Sequence, residues 1–178
     1  MKNKVAIVSG EPFSVNSEII GKSWKKIRKK YKKKIFIFEN YLLIKNQFKK
    51  LKIKIPLEKI NSTNFALNSE NLKILNVPIN SNYVVNCLNK AHKLSVEKKI
   101  KGFINCSIDK KIFKSNFGVT EFLERKNNKK GDLVMLIYNN KLSVSPITTH
   151  ISIKNVSKSL NKNLIEKKVK IINNFYVK

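Results

Sequence analysis

The amino-acid sequence predicts an α/β fold, and three observations carry that reading. A short apolar run, Val5 to Val8, is followed by Ser9-Gly-Glu-Pro12 and then by a helical apolar period, the opening of an α/β layer. The alternation repeats, with the continuous apolar run Ile35-Phe-Ile-Phe38 followed by a helical stretch from Tyr41 to Leu51. Further along, Leu133 to Tyr138 and Leu142 to Ile147 flank Asn139-Asn140-Lys141, a spacing that suits a tight hairpin.

Taken in order, the first helix begins near Ser17 and carries Ile20, Trp24, Ile27 and Tyr31 on one face, at spacings of an amphipathic helix. Ile53 and Ile55 read as a short strand that Pro56 ends. The stretch from Glu58 to Asn82 is rich in Asn and Ser and is expected to be an irregular, exposed insert, with Leu72, Ile74, Leu75 and Val77 its clearest strand candidate. A helix capped by Ser81 should bury Val84, Leu88, Ala91 and Ser95, with His92 beside that face as a packing residue. Gly102 to Asn105 reads as a strand, followed after Lys110 by a short helix. The hairpin implies a sheet of mixed direction, and Val156, Leu160, Leu164 and Ile171 or Ile172 mark a last amphipathic helix.

Thirty-eight basic residues against eleven acidic ones give a formal net charge of +27, yet 42% of the chain is hydrophobic, enough to build a core. Only Arg28 and Arg125 are arginines. A lysine excess beside abundant Asn and Ile is what A/T-rich codons produce without selection for polyanion binding. Arginine, with its planar fork, is the better reader of phosphate and guanine. The dense run Lys22 to Lys34 interleaves Trp24 and Tyr31 and could track a phosphate backbone, but helical periodicity accounts for both aromatics. The composition therefore argues against nucleic acid as a partner. No apolar run is long enough for a membrane span and no secretory signal opens the chain, so a soluble, cytoplasmic protein is expected. Cys87 and Cys106 read as two reduced, buried small hydrophobes.

Three segments fall in loops at strand ends, where α/β proteins place ligands: Ser9 to Asn16, Asn105 to Lys110 with Gly118 to Glu121, and Thr148 to His150. Glu11 and Lys110 are the candidates in the first two loops. One glycine in the first loop is neither a P-loop nor a dinucleotide fingerprint. His150 at a strand end could ligate a divalent ion, but a metal site needs at least three protein ligands and no other histidine falls in a suitable loop.

In sequence, Ser9-Gly-Glu-Pro12 with Glu18 and Ile19, Phe103 to Lys110, Gly118-Val-Thr-Glu-Phe122, and Val134-Met-Leu-Ile137 running to Thr148-Thr-His-Ile-Ser-Ile153 resemble the 4-hydroxythreonine-4-phosphate dehydrogenases of pyridoxal phosphate biosynthesis. The resemblance covers nearly the whole chain but only about the first half of the family's length. It implies a three-layer α/β fold with a mixed sheet, of the isocitrate and isopropylmalate dehydrogenase type. Residues 1–178 would form a single α/β region, the N-terminal half of a longer enzyme with two subdomains.

The implied activity is NAD-dependent oxidation of the C3 hydroxyl of 4-phosphooxy-L-threonine with subsequent decarboxylation. NAD and a divalent metal (Zn, Mg or Co) are the implied cofactors, and a homodimer the implied assembly. By the same resemblance His150 is a metal ligand and Thr120 binds substrate. Val119 replaces the family's substrate-binding histidine and cannot make its hydrogen bond. The loop Asn105-Cys-Ser-Ile-Asp-Lys110 keeps only Ile108 and Lys110 of the family's pattern. Two further metal histidines and most NAD contacts lie in the family's second half. The alternatives are a decayed or truncated relative acting as a partner subunit, and a basic nucleic-acid-binding protein.

Overall fold

The computed structural model describes residues 3–64, 69–113, 118–127, 133–149 and 151–177. It divides into two compact units, Met1–Asn116 and Phe117–Lys178. The first contains β1 (Val5–Val8), α1 (Asn16–Lys26), α2 (Lys29–Lys32), β2 (Ile35–Glu39), α3 (Tyr41–Lys50), β3 (Leu57–Ile60), β4 (Leu72–Asn76), α4 (Tyr83–Val96) and β5 (Gly102–Asn105). The strands form one sheet in the order β3-β4-β2-β1-β5, parallel at every pairing. The α/β class expected from the alternation is observed.

Parallel neighbours need crossovers, and crossovers are right-handed. Those carrying α1 and α3 run from β1 toward the β3 edge, which puts both helices on one face. The crossover through α4 runs back the other way, to β5, and so lies on the opposite face. On the first face Ile37 and Ile74 are register partners, both fully buried, and with Leu72 they meet Ile20 and Trp24 of α1 and Ile44 and Phe48 of α3. Each such side chain contributes about 1.5–3 kcal/mol on burial. On the other face α4 buries Tyr83, Val84, Cys87, Leu88 and Ala91 against the sheet.

Four local expectations are corrected. Ile53 and Ile55 precede the strand, which begins after Pro56, at Leu57. The supposed exposed insert contains β4, an interior strand with Leu72, Lys73 and Ile74 fully buried. The cap of α4 is Asn82, not Ser81. The first helix ends at Lys26, because Ile27 and Arg28 are extended, and Tyr31 is left 50% exposed.

The second unit contains α5 (Val119–Lys126), β6 (Ile137–Tyr138), β7 (Ser143–Val144), α6 (Val156–Ser159) and α7 (Lys162–Tyr176). The hairpin forms, with Asn139 N–H donating to Leu142 C=O at 3.1 Å, but β6 and β7 pair with each other and leave the five-stranded sheet parallel throughout. The last amphipathic stretch is two helices. The break falls where Asn161 becomes an N-cap, its side chain accepting from Leu164 N–H at 2.9 Å. Among the described residues of this unit none is buried.

The strand order reverses direction between β1 and β5, which opens a crevice at their carboxyl ends. The loops after these strands are tied there: Asn16 Nδ2 donates to Ser107 C=O at 2.8 Å, and Cys106 N–H donates to Val8 C=O at 2.9 Å. Gly10 adopts φ +77°, and a Cβ at that position would lie 2.4 Å from the Ser107 oxygen and 2.6 Å from Asn16 Nδ2. Only glycine suits both demands.

Close by, Glu39 closes β2 as a buried carboxyl, 3% exposed. The Tyr83 hydroxyl bonds to it, Asn40 N–H donates to it at 2.7 Å, and Ser9 Oγ donates to Phe38 C=O at 3.0 Å. Burial pushes the Glu39 carboxyl above the usual carboxylate range, against the opposing pull of these hydroxyl and amide donors.

Two outcomes follow from this geometry. Gly10→Ala should destabilise the chain by about 2 kcal/mol or more in urea unfolding, and a neutral result would mean the two loops are not clamped as described. For Glu39 the folded-state pKa is raised, so native stability falls as pH climbs from the ordinary glutamate range through that higher value. Tyr83→Phe removes a donor from the ionised form and raises the pKa further. The variant should lose about 1.5–3 kcal/mol near pH 8 and distinctly less near pH 4, where the carboxyl is neutral in both states. An equal loss at both pH values would show that Tyr83 does not serve the charged carboxylate.

Candidate active site

The sheet positions its first two loops face to face at the β1/β5 crevice. Glu11 sits in the loop after β1, and its Oε1 accepts from Asp109 N–H at 3.1 Å, so this candidate meets the residue preceding Lys110. The Glu11 loop is held from behind as well: Ser14 Oγ donates to Glu11 C=O at 2.9 Å, and the Gln47 amide donates to Pro12 C=O. Gln47 is itself oriented by Ser17 Oγ, which donates to its Oε1 at 2.6 Å. The Lys110 backbone opens a short 3₁₀ turn, Lys110–Phe113, and its side chain lies outside what the structure describes. Asn16 Oδ1, buried in the same place, has no hydrogen-bond partner among the described residues. The crevice thus offers a half-buried carboxylate, peptide groups and one unused acceptor.

In the second unit Val119 and Thr120 form the first turn of α5, both half-buried. The Glu121 carboxylate accepts from Gly118 N–H at 2.8 Å, and Phe122 N–H donates to Gly118 C=O at 3.1 Å. This is one half of a capping box, since glycine has no side chain to return the bond. First-turn N–H groups lack acceptors within the helix and stand at its positive end, where anionic groups are favoured. Thr120 adds a hydroxyl that can donate or accept; Val119 adds only an apolar branch.

His150 lies outside the described residues, whereas Thr148 before it is half-buried and Thr149 exposed. His92 is half-buried on α4, as a packing residue would be. Among the described residues no group of three His, Cys, Asp or Glu side chains comes together that could hold a metal ion. His150, the metal ligand that the resemblance implies, is not among those residues. In the first loop the space beside the Gly10 backbone is taken by the Ser107 carbonyl and Asn16 Nδ2.

Other candidates resolve plainly. Burial pushes the Cys87 thiol up to about 12, with Glu39 adding to the effect, and burial raises half-buried Cys106 as well. Neither is an activated nucleophile. Trp24 is 3% exposed and stands in the core, so it cannot stack on a base. The Glu39–Tyr83 pair and the Asn16 clamp escaped the sequence reading. An acid closing a wholly apolar strand was the available signal for the first; nothing in the local sequence announces the second.

Residues 30–178 match the family described as pyridoxal phosphate biosynthetic protein PdxA. Relatives named 4-hydroxythreonine-4-phosphate dehydrogenase include one from Aquifex aeolicus, 31% identical over 186 residues, covering 97% of this chain and 57% of the relative. Another, from Wigglesworthia glossinidia brevipalpis, is 38% identical over 105 residues, covering 57% of this chain and 31% of its own length. The fold is similar to that of the 4-hydroxythreonine-4-phosphate dehydrogenase of Klebsiella pneumoniae, with TM-score 0.87, 19% identity and coverage of 98% of this chain and 59% of that one. A protein from Salmonella typhimurium described as a putative 4-hydroxythreonine-4-phosphate dehydrogenase gives TM-score 0.85 at 18% identity, over 98% of this chain and 60% of the other. The chain spans about three-fifths of the length of the relatives it matches along most of its own length. No helix among the described residues is long and apolar enough to cross a membrane. With the match running through most of the sequence and the parallel sheet agreeing, the chain belongs to the PdxA family of pyridoxal phosphate biosynthetic proteins.

Proposed function

We propose that this chain is the N-terminal, substrate-facing part of a 4-hydroxythreonine-4-phosphate dehydrogenase, which carries out NAD-dependent oxidation of 4-phosphooxy-L-threonine with subsequent decarboxylation in pyridoxal 5′-phosphate biosynthesis. The observation that carries the reading is the Gly118-Val-Thr-Glu-Phe122 segment. It lies within the residues that match the family and forms the first turn of a helix. A helix N-terminus with a threonine hydroxyl suits a doubly anionic substrate, and Thr120 would donate to one of its oxygens. Val119 would leave a neighbouring oxygen without the partner that the family's histidine provides.

Glu11 and Lys110 are the proposed polar groups of the crevice loops, and His150 keeps the role of metal ligand that the resemblance gives it. The remaining donors and the nicotinamide pocket would come from the part of the fold that the relatives carry beyond the matched three-fifths. A cytoplasmic homodimer is the proposed setting. A second reading, a partner subunit without activity of its own, draws on the absence of any buried residue among those described in the second unit. Complementation separates the two.

The 178-residue chain alone should form no NADH from 4-phosphooxy-L-threonine. Joined to, or mixed with, the portion of a relative that lies outside the match, it should turn over if the dehydrogenase reading is right. Failure of the joined, folded protein to do so would favour the partner subunit. In the active assembly Val119→His should lower KM roughly ten- to a hundredfold, one hydrogen bond to a charged group being worth about 1.5–3 kcal/mol. Thr120→Val should raise KM by about tenfold or more for the same reason. An unchanged KM in both variants would show that the first turn of α5 does not touch substrate.

A further inference from the structure

On the face of the sheet that carries α1 and α3, a groove of about 450 Å³ lies between α3 and the chain that enters the edge strand β3. Ile53, Ile55 and Leu57, half-buried and packed against the core, line it together with Phe48. Its rim is cationic. Lys45 and Lys49 are both exposed, one helical turn apart on α3, with Tyr41 one turn earlier on the same side. Among the described residues no carboxylate lines the groove.

We propose that this groove is a binding site for a small amphipathic anion, with an apolar body of about one aromatic ring system on Ile53, Ile55 and Leu57 and one carboxylate or phosphate group held between Lys45 and Lys49. Three features separate it from the solvated lysine faces that cover the rest of this basic chain. The volume falls within the range of small-molecule pockets, which is about 300–1,000 Å³. The lysine stems stand beside apolar surface that is continuous with the core, so a ligand could bury its body while its charge stays at the rim. Lys45 and Lys49 also repel each other at the i,i+4 spacing, and an anion between them relieves that repulsion. The groove runs along α3 toward the start of β3, whereas Glu11 and Gly10 lie at the carboxyl end of β1. The proposal is therefore independent of the dehydrogenase reading.

The test is titration of the ¹⁵N-labelled 178-residue chain with 1-naphthyl phosphate, 1-naphthoate and the uncharged 1-naphthalenemethanol. Saturable shifts should concentrate at the amides of Tyr41, Asn46, Phe48, Ile53 and Ile55. The uncharged compound should bind about tenfold more weakly or less. If the phosphate binds more tightly than the carboxylate, the natural ligand is an organic phosphate, and the reverse order makes it an organic acid. Lys45→Glu/Lys49→Glu should weaken either anion by about tenfold, while Lys25→Glu/Lys26→Glu, with the same charge change on α1, should not. Equal weakening by the two double variants, or shifts spread over all the lysine faces, would reduce the effect to net charge and overturn the proposal. So would binding of the uncharged compound as tight as that of the anions.

Discussion

The tie between the loops after β1 and β5 is the constraint on which the rest of the first unit depends. These strands are adjacent in the sheet but ninety-odd residues apart in the chain, and α1, α3 and α4 are all threaded between them. A single amide, Asn16 Nδ2, reaches the Ser107 carbonyl across that separation, and the backbone at Gly10 bends through φ +77° to let it pass. Because Asn16 also starts α1, the same residue fixes where that helix begins and so which of its residues, Ile20 and Trp24, face the sheet. Beside the Cys106–Val8 and Asp109–Glu11 bonds, this contact thus couples loop closure to helix register and core packing. A bulkier residue at Gly10 would disturb all three.

Beneath the tie the interior is polar where a purely apolar core would be expected. Glu39, Tyr83 and Ser9 occupy the carboxyl ends of β2, α4's first turn and β1, and each supplies what another lacks: a carboxylate acceptor, a hydroxyl donor, a second hydroxyl on the Phe38 carbonyl. An isolated carboxyl at 3% exposure would be costly. With its donors in place it links two faces of the sheet at the end where ligands bind in such folds. Lys73 shows the same economy on β4. Its fully buried side chain donates to the Ser69 carbonyl and hydroxyl, both at 3.0 Å, and burial lowers its pKa against the pull of Glu58.

The sequence made the alternation of strand and helix legible because period and length differ sharply between Ile35–Phe38 and Tyr41–Leu51. It misled where polarity and burial part company. Leu72 to Val77 sits among Asn and Ser residues and includes Lys73, so its composition signals a surface, yet strand pairing on both sides buries it. Leu133–Tyr138 and Leu142–Ile147 read strongly as strands by propensity, but only two residues of each pair, since nothing among the described residues extends the ladder beyond the hairpin. The candidate site was legible as segments and not as a constellation. The Glu11 carboxylate accepts from the Asp109 backbone N–H, a contact that no local pattern encodes.

The two units differ in what holds them. The first closes a core on both faces of its sheet. In the second, Ile137, Tyr138, Leu142, Val144, Val169 and Phe175 are each half or more exposed, and its helices bury no side chain completely among the described residues. Burial is the main favourable term in folding, and a unit of this size without it has little to set against the conformational entropy of ordering its chain. Its hairpin turn, the Asn161 cap and the Lys168 bond to the Leu133 carbonyl organise the backbone locally but contribute only about 1 kcal/mol apiece. The turn that presents Val119 and Thr120 belongs to this weaker unit. A partner that buries the exposed apolar side chains of this unit would therefore stabilise that turn through the same contacts.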